Sequence, residues 1–214
     1  MLEYVVYLVA AYLIGSVPFG YLAGRLNGVD LREFGSHNIG ATNAVRVLGK
    51  RWGIPVFVCD FLKGLLPLLW VRCRFGGDLA SFSLEQTGVL LLVLCALVLG
   101  HTYTCFLRFR GGKGVATSAG CLFALSPVVG TVAVAAWVLC MVLTRYVSLS
   151  SMVAGLVMLG AAVWEFAVRP ERVSASGWLL VAVLALIFVL VVFKHRANIV
   201  RLCRGTEPKA FSKK

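Results

Sequence analysis

The sequence predicts an all-α integral membrane protein of about seven transmembrane helices. Its N-terminus is expected to be extracytoplasmic and its C-terminus cytoplasmic, with interfacial loops and short helices on the cytoplasmic side. Three observations lead there. Of 214 residues, 60% are hydrophobic and 14% charged, against roughly 45–50% and about 25% in a soluble domain. The apolar residues form runs long enough to cross a ~30 Å hydrocarbon core, which takes about 20 helical residues. The 21 Lys and Arg, giving a net charge of +12, gather in a few connections, as short cytoplasmic loops do.

The first run, 2–24, carries Glu3 where a signal peptide has a basic region, and it exceeds the usual apolar length of ~7–15 residues, so it is a retained span. Pro18 in "GSVPFG" is expected to kink it, with neighbouring helices satisfying the freed carbonyl. Further runs cover 54–71, 86–107, 147–166 and 177–193. The segment 115–143 is either one tilted helix or two short ones broken at Ser126-Pro127, since proline removes a donor and restricts the residue before it.

Charge favours the break. Arg25, Arg32, Arg46, Lys50 and Arg51 follow the first span, and Arg108, Arg110 and Lys113 follow the third. Lys194, Arg196, Arg201, Arg204, Lys209, Lys213 and Lys214 follow the last. In the other connections, 72–85 and 167–176, Arg72, Arg74, Arg169 and Arg172 are offset by Asp78, Glu85 and Glu171. If the three basic clusters are cytoplasmic, residues 113 and 194 lie on one side and an even number of crossings separates them. About 14 residues per crossing rise only ~21 Å, so one helix of the pair is short or covered by its neighbours.

Asp60 and Lys63 lie on one face of the second span. Each alone at mid-membrane would cost about 2.5–3.5 kcal/mol, so they pair inside the bundle, as a structural ion pair or as part of the site. The chain reads as a single membrane-embedded domain, 1–214. A helical bundle over 1–193 carries polar loops 25–53 and 108–114, and a basic tail, 194–214, frays at an anionic lipid surface.

Seven scattered cysteines, without CxxC or clustered histidines, exclude metal-site spacing. In apolar runs they behave as small hydrophobes. No metal, cofactor or nucleic-acid partner is expected.

Three polar segments carry the candidate chemistry. "LREFGSHNIGATNAVRVLGKRWG", Leu31 to Gly53, exceeds the ~4–6 residues of an ordinary connection and is rich in turn-forming, hydrogen-bonding residues. From Thr42 it reads as a short interfacial helix capped by Thr42, either aiming amides at an anion or simply amphipathic. "RFRGGKGVATSAG", Arg108 to Gly120, fails the nucleotide-loop pattern: Leu107 stands where its first glycine belongs and Gly114 where Ser or Thr belongs. What survives is a backbone with exposed amides, Lys113 as a point charge and a following helix N-terminus, or else a plain basic turn. "KHRANIVRLCRGTE", Lys194 to Glu207, offers His195, Arg196 and Asn198 as phosphate donors, although a histidine ending a membrane helix is often a cap. All three face one leaflet and none holds a carboxylate pair. The conjunction suits more than one phosphate-like group at the cytoplasmic membrane edge.

With "GSVPFGYLAGR", "GSHNIGATNAVRVLGK", "DFLKG", "GHTYTCFLRFRGGKGVATSAG" and "HRANIVRLCRGTE" in order, nearly the whole chain resembles the bacterial integral-membrane acyl-phosphate:glycerol-3-phosphate acyltransferase family. The resemblance implies acyl transfer from acyl phosphate to the 1-hydroxyl of sn-glycerol 3-phosphate in the inner membrane, the first step of bacterial phospholipid synthesis. It implies Ser36 and Arg46 as essential residues and Asn38, Thr42 and Asn43 as polar contacts. Gly111, Gly112 and Gly114, with Lys113, become the glycerol-phosphate loop. His195 and Asn198 belong to the last motif, and Glu207 is its structural glutamate. The soluble synthase that supplies acyl phosphate is a candidate partner at the basic face. The sequence departs from the family at His37, Thr104, Arg110 and Ala197, where a small residue, proline, lysine and glutamate are expected.

Acyl phosphate is a mixed anhydride with a good leaving group, so orientation and charge stabilisation suffice for most of the catalysis. No histidine is followed by Asp at the HxxxxD spacing, which excludes the acyltransferases that use that pair. Either a substrate phosphate oxygen or His195 takes the hydroxyl proton. The competing class is a transporter or channel for phosphate-containing anions. It fits less well, because the cations lie at one surface and no internal repeat is evident.

Overall fold

The computed structural model describes residues 1–76, 79–167 and 175–210, and every regular element among them is helical. Asp78, Arg169, Glu171, Arg172, Lys213 and Lys214 lie outside the described residues. Two compact units are present: Met1–Gly77 with Val89–Leu125, and Asp78–Gly88 with Ser126–Lys214.

In the first unit, α1 (Leu2–Ser16) and α2 (Phe19–Leu26) are one apolar run interrupted at Val17-Pro18. Two carbonyls at the break accept from side chains: Thr104 Oγ1 donates to Ser16 O at 2.6 Å, and Lys63 Nζ to Val17 O at 2.8 Å, which also receives Phe19 N at 3.2 Å. An unpaired carbonyl in hydrocarbon would cost several kcal/mol, so these two donors, with the backbone bonds from Val17 N to Ile14 O and Phe19 N to Val17 O, make the break tolerable. A short α3 (Ala41–Leu48) precedes α4 (Lys50–Phe75), which is longer than the apolar run because basic residues extend both ends. Then come α5 (Leu84–Thr102), whose residues from Val89 belong to this unit, a 3₁₀ turn at Cys105–Leu107, and α6 (Val115–Leu125). Helices α4 and α6 approach through glycines. A Cβ on Gly64 would overlap the Thr117 backbone, and one on Gly120 the Phe61 backbone; small residues let backbones meet where no hydrophobic force joins helices.

The break at Ser126-Pro127 is present. Arg72 Nη1 donates to the Ala124 carbonyl at 2.7 Å, capping the end of α6. In the second unit, Ser126 Oγ accepts from Val129 N at 3.3 Å and Pro127 takes the first helical position, where its missing N–H costs nothing. There α7 (Pro127–Thr144) packs on α8 (Val147–Ala167), α8 on α9 (Ala175–Lys194), and α10 (Arg196–Cys203) follows.

Among the described residues, six helical segments are long and apolar enough to cross a membrane: Leu2–Leu26, Lys50–Phe75, Leu84–Leu107, Pro127–Thr144, Val147–Glu165 and Ser176–Lys194. The seventh apolar helix, α6, is the short member of the broken pair. Its 11 residues rise about 16 Å, and α4 covers one side of it.

Candidate functional site

The first polar loop is built around Asn43, which is 1% exposed. Its Oδ1 accepts from Ser36 N at 2.8 Å, and its Nδ2 donates to Leu31 O and Phe34 O at 3.1 and 3.0 Å. One side chain thus closes three loop backbone groups and fixes Ser36. Gly35 sits at φ +65 against this amide, where a Cβ would overlap Asn43 Oδ1. Asn38 Oδ1 accepts from Gly40 N at 2.8 Å, an Asx turn that leads into α3.

The residue before α3 is Gly40, not Thr42; Thr42 lies within the first turn, because the Asn38 turn starts the helix earlier than the hydroxyl suggests. Thr42 and Arg46 share an exposed face of α3, while Asn43 and Ala44 are buried. Asp30 receives Arg32 Nε at 2.9 Å and Arg32 N at 3.0 Å, and this donation from Arg32 holds its carboxyl at about 2. His37 adopts φ 56, a left-handed conformation uncommon for a residue with a side chain; its Nδ1 donates to Arg32 O at 3.0 Å.

The glycine loop is folded inward. Gly111 N donates to Thr102 O at 3.2 Å and Gly112 N to His101 O at 3.0 Å, so these two amides hold the end of α5 rather than facing outward. The expectation of exposed amides therefore fails at these glycines; the N–H groups without an intrahelical partner are those of the first turn of α6. A Cβ on Gly111 would overlap His101 O, and one on Gly112 would overlap His101 Nε2. Gly114, at φ +84, turns the chain into α6. Lys113 is half-buried and Arg110 exposed. Thr104 has φ −64, a value proline also adopts, and its hydroxyl carries the Ser16 bond that a proline would lack.

Asp60 and Lys63 form the expected ion pair, Nζ to Oδ1 2.7 Å, with side chains 3% and 4% exposed. Two partners were not read from the sequence. Lys63 also caps the α1–α2 break, and His101 Nδ1 lies 3.5 Å from Asp60 Oδ1. The signal for His101 was a lone ionisable residue at the end of an apolar span, which is by default functional.

In the second unit, His195 is 3% exposed and separates α9 from α10. Its Nδ1 donates to Val191 O at 2.8 Å; a carbonyl only accepts, so the neutral ring carries its lone pair on Nε2. Three residues on, Asn198 Nδ2 donates to Glu207 Oε1 at 2.6 Å, joined by Ser148 Oγ at 2.8 Å, while Arg201 Nε holds Oε2 at 2.7 Å. Burial alone would push the Glu207 carboxyl up, but donation by Asn198, Ser148 and Arg201 outweighs it and keeps it below its ordinary value. Ala197, the departure from glutamate, is exposed on α10. Among the described residues, no group of three or more His, Cys, Asp and Glu is placed to hold a metal ion.

The profile of the glycerol-3-phosphate acyltransferase family matches residues 5–205. The chain belongs to the glycerol-3-phosphate acyltransferase family. It is 44% identical to the glycerol-3-phosphate acyltransferase of Geotalea daltonii over 97% of each chain. To that of Aquifex aeolicus it is also 44% identical, over 92% of this chain and 94% of the relative. Among solved structures, it is similar to the integral membrane glycerol 3-phosphate acyltransferase PlsY in its glycerol 3-phosphate form, with TM-score 0.84 and 38% identity over 97% of this chain and 96% of that one. It is likewise similar to the lysophosphatidic acid form, with TM-score 0.81 and 38% identity over 97% and 95%. For this family member, helical architecture and membrane integration agree between sequence, structure and relatives.

Proposed function

We propose that the chain transfers an acyl group from acyl phosphate to the 1-hydroxyl of sn-glycerol 3-phosphate, making 1-acylglycerol 3-phosphate, as a single catalytic domain in the bacterial inner membrane. The observation that carries this reading is the full-length match to glycerol-3-phosphate acyltransferases and to the PlsY form holding glycerol 3-phosphate. In the reaction, the hydroxyl oxygen attacks the acyl carbonyl carbon and an ester C–O bond forms. The bond to the phosphate oxygen breaks, and inorganic phosphate leaves with the hydroxyl proton. Because that leaving group needs little acid assistance, the protein's task is to orient two anions and stabilise developing negative charge.

Ser36 and Arg46 are assigned to the reacting groups, the exposed Arg46 guanidinium suiting a phosphate in a two-point contact. Asn38, Thr42 and Asn43 shape and line that loop, with Asn43 acting through the backbone it holds. Lys113 and the first turn of α6 are assigned to glycerol 3-phosphate, and Gly111, Gly112 and Gly114 give that turn its path. His195, with its lone pair on Nε2, is a base alternative to the substrate phosphate, and Asn198 and Glu207 fix its helix. No cofactor is assigned. The basic clusters support a reading with the site on the cytoplasmic side and seven crossings, α6 being the short one, and they suit docking of the soluble acyl-phosphate synthase.

The test supplies purified protein in detergent with acyl phosphate and labelled glycerol 3-phosphate. Labelled lysophosphatidic acid is expected; its absence across lipid and pH conditions sinks the reading, and uptake into proteoliposomes without acyl transfer supports a transporter instead.

A further inference from the structure

We propose that His101, held by Asp60, is a positioning residue for the glycine loop: its ring occupies the volume that a side chain at position 112 would need, and it thereby sets the path of Gly111–Gly114. Four observations in the first unit converge on it. His101 is 6% exposed at the end of α5, and its Nδ1 lies 3.5 Å from Asp60 Oδ1. Asp60 is anchored in turn by Lys63, which also donates to the Val17 carbonyl. The His101 carbonyl accepts the Gly112 amide at 3.0 Å. A Cβ built on Gly112 would overlap Nε2 and lie 2.8 Å from Cε1 of the same ring.

The Nδ1 edge of the ring faces the Asp60 carboxylate, and the Nε2 edge is directed at the loop. The ring orientation is thus fixed by a carboxylate on the preceding helix, α4, and the loop is laid on top of it. A glycine is required at 112 because the ring is there. No contact between His101 and substrate is implied; its effect reaches the substrate through the loop.

This inference rests on the glycine loop binding glycerol 3-phosphate. It is tested by equilibrium binding of labelled glycerol 3-phosphate, without acyl donor, to wild type, His101→Asn, Gly112→Ala and the double variant in detergent. Asn retains a donor near the Nδ1 position and empties the space under Gly112. Each single change is expected to weaken binding about tenfold. The double variant is expected to bind no more weakly than the worse single one, because the methyl group then enters vacated space; independent sites would multiply their effects.

Thermal unfolding supplies a second reading: the double variant should melt above Gly112→Ala alone. Multiplying losses, an unaltered affinity in His101→Asn, or a double variant that melts below Gly112→Ala would overturn the proposal, as would wild-type protein that does not bind glycerol 3-phosphate. Wild-type protein that binds but makes no lysophosphatidic acid fails the acyl-transfer reading while leaving this cycle to stand or fall by itself.

Discussion

At the scale of single residues, the side chains that hold loops and those that face outward are cleanly divided. Asn43 is buried with its amide bonded to three backbone groups, whereas Ser36 uses only its N–H in that arrangement and Arg46 is exposed. Ser36→Ala, Arg46→Ala and His195→Ala are therefore expected to lose most acyl transfer, on the order of 100-fold or more in kcat/KM. The Ser36 and Arg46 variants should melt close to wild type, whereas His195→Ala, which empties a buried position, should melt lower while staying folded; a loss of activity that tracks loss of folded protein would contradict these assignments. Glu207 is the opposite case. Its carboxylate satisfies Asn198, Ser148 and Arg201, so Glu207→Gln should lower stability by about 2 kcal/mol at neutral pH.

The pH dependence has a definite sign. A carboxyl held below its ordinary value contributes stability that is present above the unfolded pKa of about 4.3 and is lost as pH falls through the lower folded value. Melting curves of wild type and Glu207→Gln should thus differ by a constant gap from neutral pH to about pH 5 and converge in stronger acid. A gap that persists undiminished in acid would assign the effect to packing instead.

At the scale of elements, the two helix breaks explain where the polar residues of the membrane region went. Prolines 18 and 127 are plain in the sequence, and so are the breaks they cause. What capped the exposed carbonyls was not plain, because the caps come from distant segments: Lys63 and Thr104 for the first break, Arg72 for the end of α6. The Asp60–Lys63 pair was legible from its spacing of three. Its link to His101 was not, since 41 positions of sequence separate two of its members and only packing brings them together. Lys63→Met removes a charge partner and a carbonyl cap at once, so it should destabilise the protein by about 3–5 kcal/mol. Replacing Asp60 and Lys63 together by Leu and Met should cost less than Lys63→Met alone, because no unpaired charge is left. Equal melting of Lys63→Met and wild type would show that this pair does not hold the break.

At the scale of the molecule, the helical class, the membrane location and the order of the apolar runs were all readable, because burial in lipid imposes a length and a composition on every span. The internal path of the glycine loop was hidden. Glycines beside a lysine suggest amides turned toward an anion, yet two of those amides are bonded to the end of α5. The proposed orientation can be checked by labelling single cysteines at positions 110 and 205, in a background lacking the seven native ones. Both are expected to react from the cytoplasmic side, and reaction from opposite sides would break the count of crossings.

The most direct measurement is the stoichiometry of the reaction itself. With acyl phosphate and glycerol 3-phosphate both present, inorganic phosphate and 1-acylglycerol 3-phosphate should appear one for one, and neither should form rapidly when glycerol 3-phosphate is omitted. Phosphate release without lysophosphatidic acid, or glycerol 3-phosphate movement across a membrane without either product, would contradict the account.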